Sequence, residues 1–246
     1  MVMPITLSVQ RMRHGDGFNA YMLRNAQGVL DPFLGVDHAW MSAPTFPPHS
    51  HSGFSAVSYL FLDSETSIHN RDSIGTDNTI RAGGVHWTTA GVGVIHEEVP
   101  AETDKTVHSL QIFVDLSIEK KNLEPYPLIL EPENVPVVRF PGVEVRVPIG
   151  SFFDMKSPLT PPTDVTLLDI LIEKDNGLSV PVEAGKIAFA IPIFGKIEIG
   201  GDSYECEDLK IPLFPVSPEP YIVEIKSSNG RAGVAMFVGS PLHTAL

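Results

Sequence analysis

Two stretches, PPHSHSGFSAVSYL (47–60) and GGVHWTTAGVGVIHEEVP (83–100), carry the pattern that decides the fold of this 246-residue chain. Each combines a run rich in aromatic and β-branched residues with a turn of proline or glycine, which is typical of short β-strands. Both lie almost wholly within the longest proline-free stretch of the chain, between Pro48 and Pro100. Because proline is excluded from central strands, this window predicts the central strands of a β-structure.

The pattern of short strands continues on both sides of a proline-rich stretch near residues 122–135. Before it, VHSLQIFVDL (107–116) places apolar residues at period two; after it, TLLDILIEK (166–174) leads into a tight Asp-Asn-Gly turn. Short strands with turns about every 8–12 residues predict an all-β fold of sandwiches or barrels. We therefore expect one barrel in residues 1–125 and a second in residues 126–246.

Composition limits the classes of function. The formal net charge of −13 argues against direct contact with nucleic acid, which needs a basic face. No apolar run approaches the ~20 residues of a membrane span, and the first residues lack a secretory pattern. The single cysteine, Cys206, excludes an internal disulfide framework and fits a reducing compartment, so we expect a cytoplasmic protein. The carboxylates around Cys206 disfavour its thiolate and predict no catalytic role.

Eight of the nine histidines precede residue 110, and two groups among them have the spacing of metal ligands. His49 and His51 flank one residue, as do His96 and Glu98, so each pair points to one face of a strand. If the two strands are neighbours and both pairs face inward, three imidazoles and one carboxylate converge. Such a nitrogen and oxygen donor set suits divalent iron, nickel, copper, manganese or zinc.

Other histidines and aromatic residues have more ordinary interpretations. A lone histidine in a strand is usually a core or surface residue, and that reading applies to His14, His38, His69, His86 and His108. His108 also shares the parity of the apolar residues in 107–116, which predicts that it lines the same barrel as the metal ligands. Phe46, Phe54 and Trp87 lie near the proposed ligands, and burial preferences favour a place in the core over a pocket wall.

Several motifs resemble the pirin family of the cupin superfamily: DPFLGVDHAW (31–40), PPHSHSGFSAVSYL, NRDSIG (70–75) and WTTAGVGVIHEE (87–98). The likeness is strong over residues 30–116 and fainter over 160–241. It implies a bicupin, with two jelly-roll barrels and a metal in the N-terminal one. The family's metal ligands carry over to His49, His51, His96 and Glu98, while Ser52 and Ser55 replace its usual arginine and glutamate. The second barrel has no histidine before His243 and is expected to be metal-free.

The resemblance also implies an activity like that of quercetin 2,3-dioxygenase, which some pirins have. Such an enzyme uses one metal ion, O₂ and a flavonol-like or related enolisable small-molecule substrate. Iron(II) is the metal expected first, with nickel, copper, manganese and zinc left open because they share these ligands. Glu98 would be both a ligand and the catalytic base for a substrate hydroxyl.

The alternative is a regulatory protein that binds a protein partner, with the metal as a structural element or redox sensor. In a third reading the metal only stabilises the barrel. An accessible cavity at the metal favours the enzyme, whereas a closed site with an exposed apolar patch favours the regulator.

Overall fold

The computed structural model describes residues 2–25 and 28–243, which fold almost wholly into β-strands joined by turns. The helical segments among these residues are three single 3₁₀ turns, at Ile118–Lys120, Pro132–Asn134 and Cys206–Asp208. None of them is long or apolar enough to cross a membrane. The strands are β1 (Ile5–Ser8), β2 (Gln10–His14), β3 (Phe18–Arg24), β4 (Phe33–Met41), β5 (His49–His51), β6 (Phe54–Leu60), β7 (Ile68–Asp72), β8 (Asp77–Ile80), β9 (Val85–Thr89), β10 (Val94–Pro100), β11 (Val107–Asp115), β12 (Tyr126–Leu130), β13 (Val137–Phe140), β14 (Val143–Ile149), β15 (Ser151–Phe152), β16 (Met155–Lys156), β17 (Val165–Ile172), β18 (Asn176–Val182), β19 (Ile187–Phe194), β20 (Lys196–Ile199), β21 (Asp202–Glu205), β22 (Lys210–Phe214), β23 (Tyr221–Ser227) and β24 (Ala232–Gly239).

Each half of the chain builds a barrel from one seven-stranded and one four-stranded antiparallel sheet. In the first half the strand orders are β12-β9-β6-β11-β4-β3-β2 and β5-β10-β7-β8. In the second half they are β1-β22-β19-β24-β17-β14-β13 and β18-β23-β20-β21. The prediction of an all-β chain with two cupin-type barrels is confirmed.

The interiors of the two barrels differ in character. The second is filled by a large apolar cluster that includes Val145, Ile170 and Val234. The first holds a smaller apolar cluster, which includes Phe18, Leu60 and Val107. Other inward positions of the first barrel carry polar side chains, among them His96, Ser109 and Gln111, so this barrel has room for a site.

The two seven-stranded sheets pack against each other face to face and form the largest apolar cluster of the molecule. Phe33 from the first half meets Phe189 and Phe237 from the second edge-on, with ring centroids 5.2 and 5.6 Å apart. Because both faces of these sheets are covered, strands such as β11 are buried on both sides. Their alternate residues therefore face either the barrel interior or the other half.

Each half contributes one strand to the sheet of the other. β1 pairs with β22, placing Ile5 opposite Leu213 in the second barrel's sheet. β12 pairs with β9, placing Leu128 opposite Trp87 in the first barrel's sheet. The division at residue 125 remains a prediction, and sheet membership departs from it at these two strands.

Candidate metal centre

Two neighbouring strands of the four-stranded sheet, β5 and β10, carry the predicted ligands. They pair antiparallel, with His49 opposite His96 and His51 opposite Val94. The turn before β10 depends on Gly91, whose φ is +51°, and a Cβ there would lie 1.9 Å from the carbonyl oxygen of Leu123. This close approach restricts residue 91 to glycine and positions the start of the ligand strand.

The imidazoles of His49, His51 and His96 form one compact group. The three pairs of ring centroids are each 4.8 Å apart, and one ligand nitrogen from each ring lies within 4.8 Å of the others. The Nε2 atoms of His51 and His96 are 3.0 Å apart. Within residues 2–25 and 28–243, no other group of three or more such side chains meets this distance.

The protonation of these imidazoles favours metal binding. Burial, reinforced by the neighbouring histidines, lowers the pKa of His51 and of His96 to about 4. Both rings are therefore neutral at pH 7 and offer lone pairs. His49 donates from Nδ1 to the carbonyl oxygen of Pro47 over 3.0 Å, which leaves its Nε2 as the free acceptor nitrogen.

Two buried polar atoms beside this group have no hydrogen-bond partner among the described residues: His96 Nδ1 and Asp72 Oδ2. Asp72 lies directly opposite His96 on β7. Its other oxygen, Oδ1, accepts from the backbone N–H groups of Ile74 and Thr76 over 3.0 and 2.8 Å. Asp72 is thus fixed by its turn, with one carboxylate oxygen left to orient a protonated His96 Nδ1 once Nε2 binds a metal.

Glu98 lies in the same barrel but outside the compact group of imidazoles. The Ser58 hydroxyl donates to its carboxylate, with Oγ 2.7 Å from Oε2, and the same Oγ is 2.9 Å from Gln111 Oε1. Burial raises the pKa of Glu98. Ser58 and Gln111 are functional candidates that the sequence reasoning missed, although their inward parity on β6 and β11 was a usable signal.

A cavity of about 280 Å³ opens onto the three imidazoles and Glu98. Its polar rim includes an ion pair in which Arg24 Nη2 lies 2.9 Å from Asp37 Oδ2. The Arg24 guanidinium also lies 5.9 Å from the ring centroid of Phe113. The other lining residues are Met12, Phe18, Met41, Phe46, Ile68, Ser109 and Gln111.

The three aromatic candidates have different places. Phe46 lines the cavity. Phe54 packs its ring 5.2 Å from that of His51 and 5.8 Å from that of Phe113. Trp87 is fully buried in the cluster between the two halves, so for this residue the core interpretation is confirmed.

The prediction that His108 lines the metal-containing barrel is wrong. Ser109, Gln111 and Phe113 face the cavity, whereas His108 shares its parity with Leu110, which packs in the cluster between the halves. The prediction failed because β11 is covered on both sides. The apolar residues that alternate along β11 face the second barrel, whereas the intervening residues face the interior of the first barrel.

This donor set fits a divalent metal ion. Three imidazoles converge, the pKa values of His51 and His96 are lowered by burial, and a carboxylate shares their cavity. Imidazole suits iron, nickel, copper and zinc, and a carboxylate suits manganese as well. A metal would be held by His49, His51 and His96, with Glu98 the nearest predicted carboxylate.

Comparison with known proteins agrees with this architecture. Residues 8–114, which contain all four predicted ligands, match the family model "Pirin". In solved structures, the chain superposes on quercetin 2,3-dioxygenase from Acinetobacter baumannii with a TM-score of 0.84 and 23% identity, covering 98% of this chain and 88% of that one. It superposes on the bacterial pirin YhhW from Escherichia coli, solved in complex with nickel(II), with a TM-score of 0.75 and 15% identity, covering 97% and 100%. These likenesses establish the fold.

Relatives found by sequence have a higher identity to this chain than these solved structures do. "Pirin" from Rattus norvegicus is 34% identical over 244 residues, covering 97% of this chain and 82% of that protein. "Pirin-like protein 2" from Arabidopsis thaliana is 32% identical over 238 residues, covering 94% and 72%. Identity of about one residue in three, sustained through almost the whole chain, leads to one conclusion: this chain belongs to the pirin family.

Proposed function

We propose that this pirin is a mononuclear metal-dependent dioxygenase of the quercetin 2,3-dioxygenase type, acting on a flavonol-like or related enolisable substrate. The observation that carries the proposal is the cavity of about 280 Å³ that reaches the three imidazoles and Glu98. Small-molecule sites range from about 300 to 1,000 Å³, so this cavity is close to the lower end of that range. The dioxygenase from Acinetobacter baumannii with the same fold supports the reaction class.

The residues that line the cavity would have different roles in such a reaction. A bound divalent metal supplies Lewis acidity that lowers the pKa of a substrate hydroxyl. Glu98 accepts the hydroxyl proton, and its raised pKa brings it closer to the value that suits a general base near neutral pH. The Ser58 hydroxyl holds the carboxylate in place, and the Phe46 and Phe113 side chains offer apolar walls for an aromatic ring.

The metal proposed first is iron(II), and the other divalent first-row ions remain alternatives. The nickel(II) complex of the Escherichia coli pirin supports a divalent ion in this fold. The four ligands proposed are His49, His51, His96 and Glu98. Three of them form the compact imidazole group, and the carboxylate of Glu98 would complete the set by turning away from Ser58.

The test combines metal analysis of protein purified without a chelating tag with O₂ uptake in the presence of quercetin. We expect one metal ion per chain and O₂ consumption. The double variant His51→Ala/His96→Ala should lose the metal, and stoichiometric metal in that variant would refute the site. Glu98→Gln should retain the fold and lose about 10²–10⁴-fold in turnover. Its matched control, Glu97→Gln, changes the neighbouring residue of opposite parity on β10 and should behave as the wild type.

A regulatory role is the second candidate, and one observation favours it. Phe140 and Phe153 of the second half are 40% and 61% exposed, with ring centroids 6.1 Å apart. Protein-binding surfaces often carry exposed apolar side chains that lie together, and these two rings are neighbours of that kind. Two results together would favour this candidate over the enzyme. The protein would bind a full complement of metal but consume no O₂ with any flavonol, and cells carrying Glu98→Gln would grow as the wild type does.

A further inference from the structure

A second group of titratable side chains spans the junction between the two halves, on the opposite face of the first barrel's large sheet from the metal centre. Cys206 comes from the 3₁₀ turn of the second half, and its Sγ lies 3.6 Å from His38 Nδ1. His38 Nε2 lies 2.7 Å from His108 Nε2. His108 Nδ1 lies 2.7 Å from Asp63 Oδ1, and the Asp63 side chain is 68% exposed.

Cys206, His38, His108 and Asp63 form a row in which every hydrogen bond donates in the same direction, from the thiol toward the carboxylate. The Asp63 carboxylate only accepts, so His108 Nδ1 carries a proton and donates to it. A neutral His108 then accepts at Nε2 from the Nε2–H of His38. A neutral His38 is left with an unprotonated Nδ1, which accepts from the thiol of Cys206. The row therefore runs thiol, imidazole, imidazole, carboxylate, from the buried junction to solvent.

The protonation states of these groups support that direction. Burial lowers the pKa of His38 well below its ordinary value, with His108 adding to the effect, and burial also lowers the pKa of His108. Both imidazoles are neutral at pH 7. Burial and the nearby Glu207 raise the pKa of Cys206 to about 12, with Arg11 opposing, so the thiol keeps its proton at rest. The resting pair is therefore a neutral thiol beside a neutral imidazole, which are the protonation states that general-base activation of a thiol requires.

Cys206 lines a cavity of about 510 Å³ between the halves. Its charged lining consists of two exposed cations, Arg11 and Arg13, and one carboxylate, Glu207, and the aromatic side chains of Tyr21 and Trp40 lie beside them. The Arg11 guanidinium lies 5.4 Å from the centroid of the Tyr21 ring. Guanidinium groups bind carboxylates, and flat aromatic faces suit planar ligands.

From this arrangement we propose that Cys206 is a base-assisted nucleophile for a small planar anionic electrophile of the α,β-unsaturated carboxylate class. The sulfur forms a bond to the β-carbon while the thiol proton passes to His38 Nδ1. The π electron pair of the double bond moves toward the α-carbon, which takes up the proton from His38 and returns the imidazole to its neutral form. The net step adds S–H across C=C with no oxidant or reductant, and the second imidazole and Asp63 stabilise the transient charge on His38.

The local sequence around Cys206 argued against catalysis because it shows only carboxylates. The base comes from a residue 168 positions earlier in the chain. General-base assistance also makes a standing thiolate unnecessary, since the proton leaves as the new bond forms.

The experiment is favoured by the chain's single cysteine, which makes all thiol labelling report on Cys206. The full protein is treated with 3-maleimidopropionate, an anionic probe, and with neutral N-ethylmaleimide, and adducts are followed by mass spectrometry. Below its ordinary pKa of about 8.5, an unassisted thiol reacts about tenfold faster per pH unit. In the folded protein we expect a rate nearly independent of pH from about 6 to 8, and at least about tenfold above the urea-unfolded chain at pH 6.

Three variants separate the parts of the proposal. His38→Gln should lose the pH-independent rate, and the exposed Asp63→Asn should reduce it by about tenfold or less without disturbing the fold, as checked by thermal unfolding. Arg11→Gln should lower the preference for the anionic probe, measured as the ratio of the 3-maleimidopropionate rate to the N-ethylmaleimide rate in the same protein. An unreactive folded thiol, a tenfold rise per pH unit in the folded wild type, or unchanged rates in both His38→Gln and Asp63→Asn would overturn the proposal.

Discussion

Acid should destabilise the metal-free protein through the buried histidines of the metal centre, and His96 gives the clearest case. Its pKa is about 4 in the folded protein and about 6.5 in an unfolded chain. Because the folded value is the lower one, both states are neutral above pH 6.5 and the stability is complete there. As the pH falls from 6.5 toward 4, His96 binds a proton in the unfolded chain but stays neutral in the folded protein, so the free energy of unfolding decreases.

The size of the effect follows from the two pKa values. At pH 7.5 the difference in proton uptake at His96 contributes almost nothing to the free energy of unfolding. At pH 5 it costs about 2 kcal/mol, from RT ln[(1 + 10^1.5)/(1 + 10^−1)]. His51 adds a smaller amount, because it is more exposed and solvent screens part of its interaction.

The assay is urea unfolding at pH 7.5 and pH 5.0 with a strong chelator present, on the wild type, His96→Asn and the exposed-histidine control His14→Asn. Acidification should cost the wild type and His14→Asn about 2 kcal/mol more than it costs His96→Asn. Groups remote from the metal centre cancel from the comparison. Loss of His96 also removes part of the cause that lowers the pKa of His51, so the difference reports on the two rings together. If His96→Asn loses as much stability on acidification as the wild type, the buried neutral imidazole is not what the structure implies.

Three further substitutions test other parts of the structure. Asp72→Asn should keep the turn but weaken nickel(II) binding about 10–100-fold in calorimetric titration, because the asparagine amide is a weaker partner for His96 Nδ1; unchanged affinity would leave Asp72 without a role. Phe189→Ala should cost about 3–5 kcal/mol in urea unfolding, since the fully buried ring joins the two halves; a loss under 1 kcal/mol would contradict that packing. Gly91→Ala should lower the melting temperature more than Gly75→Ala, because both positions have positive φ but only a Cβ at 91 meets the Leu123 carbonyl; equal losses would show that the close contact does not matter.

Local patterns were enough to predict the β-fold and the imidazole group. Period two places His49 with His51 and His96 with Glu98 on shared faces, and the strands that carry them are neighbours. The sequence had no way to show that Ser58 would bond Glu98, because that contact depends on how two separate sheets close over the barrel.

The row of Cys206, His38, His108 and Asp63 could not be predicted from local sequence patterns. The parity of β11 placed His108 with the apolar residues correctly, but which barrel those residues faced depended on the packing of the second half. The contact of Cys206 with His38 joins positions 168 residues apart and exists only because the two halves dock. Long-range contacts of this kind leave no local pattern.

The exchange of β1 into the second barrel sets an order of events during synthesis. Ser8 of β1 pairs with Lys210 of β22, so β1 is synthesised about 200 residues before its partner. At roughly 5–20 residues per second, that interval is about 10–40 s. During this time β1 has no partner strand, and the second barrel cannot complete its large sheet without it. Completion of the second barrel therefore recruits a strand that was synthesised before the first barrel.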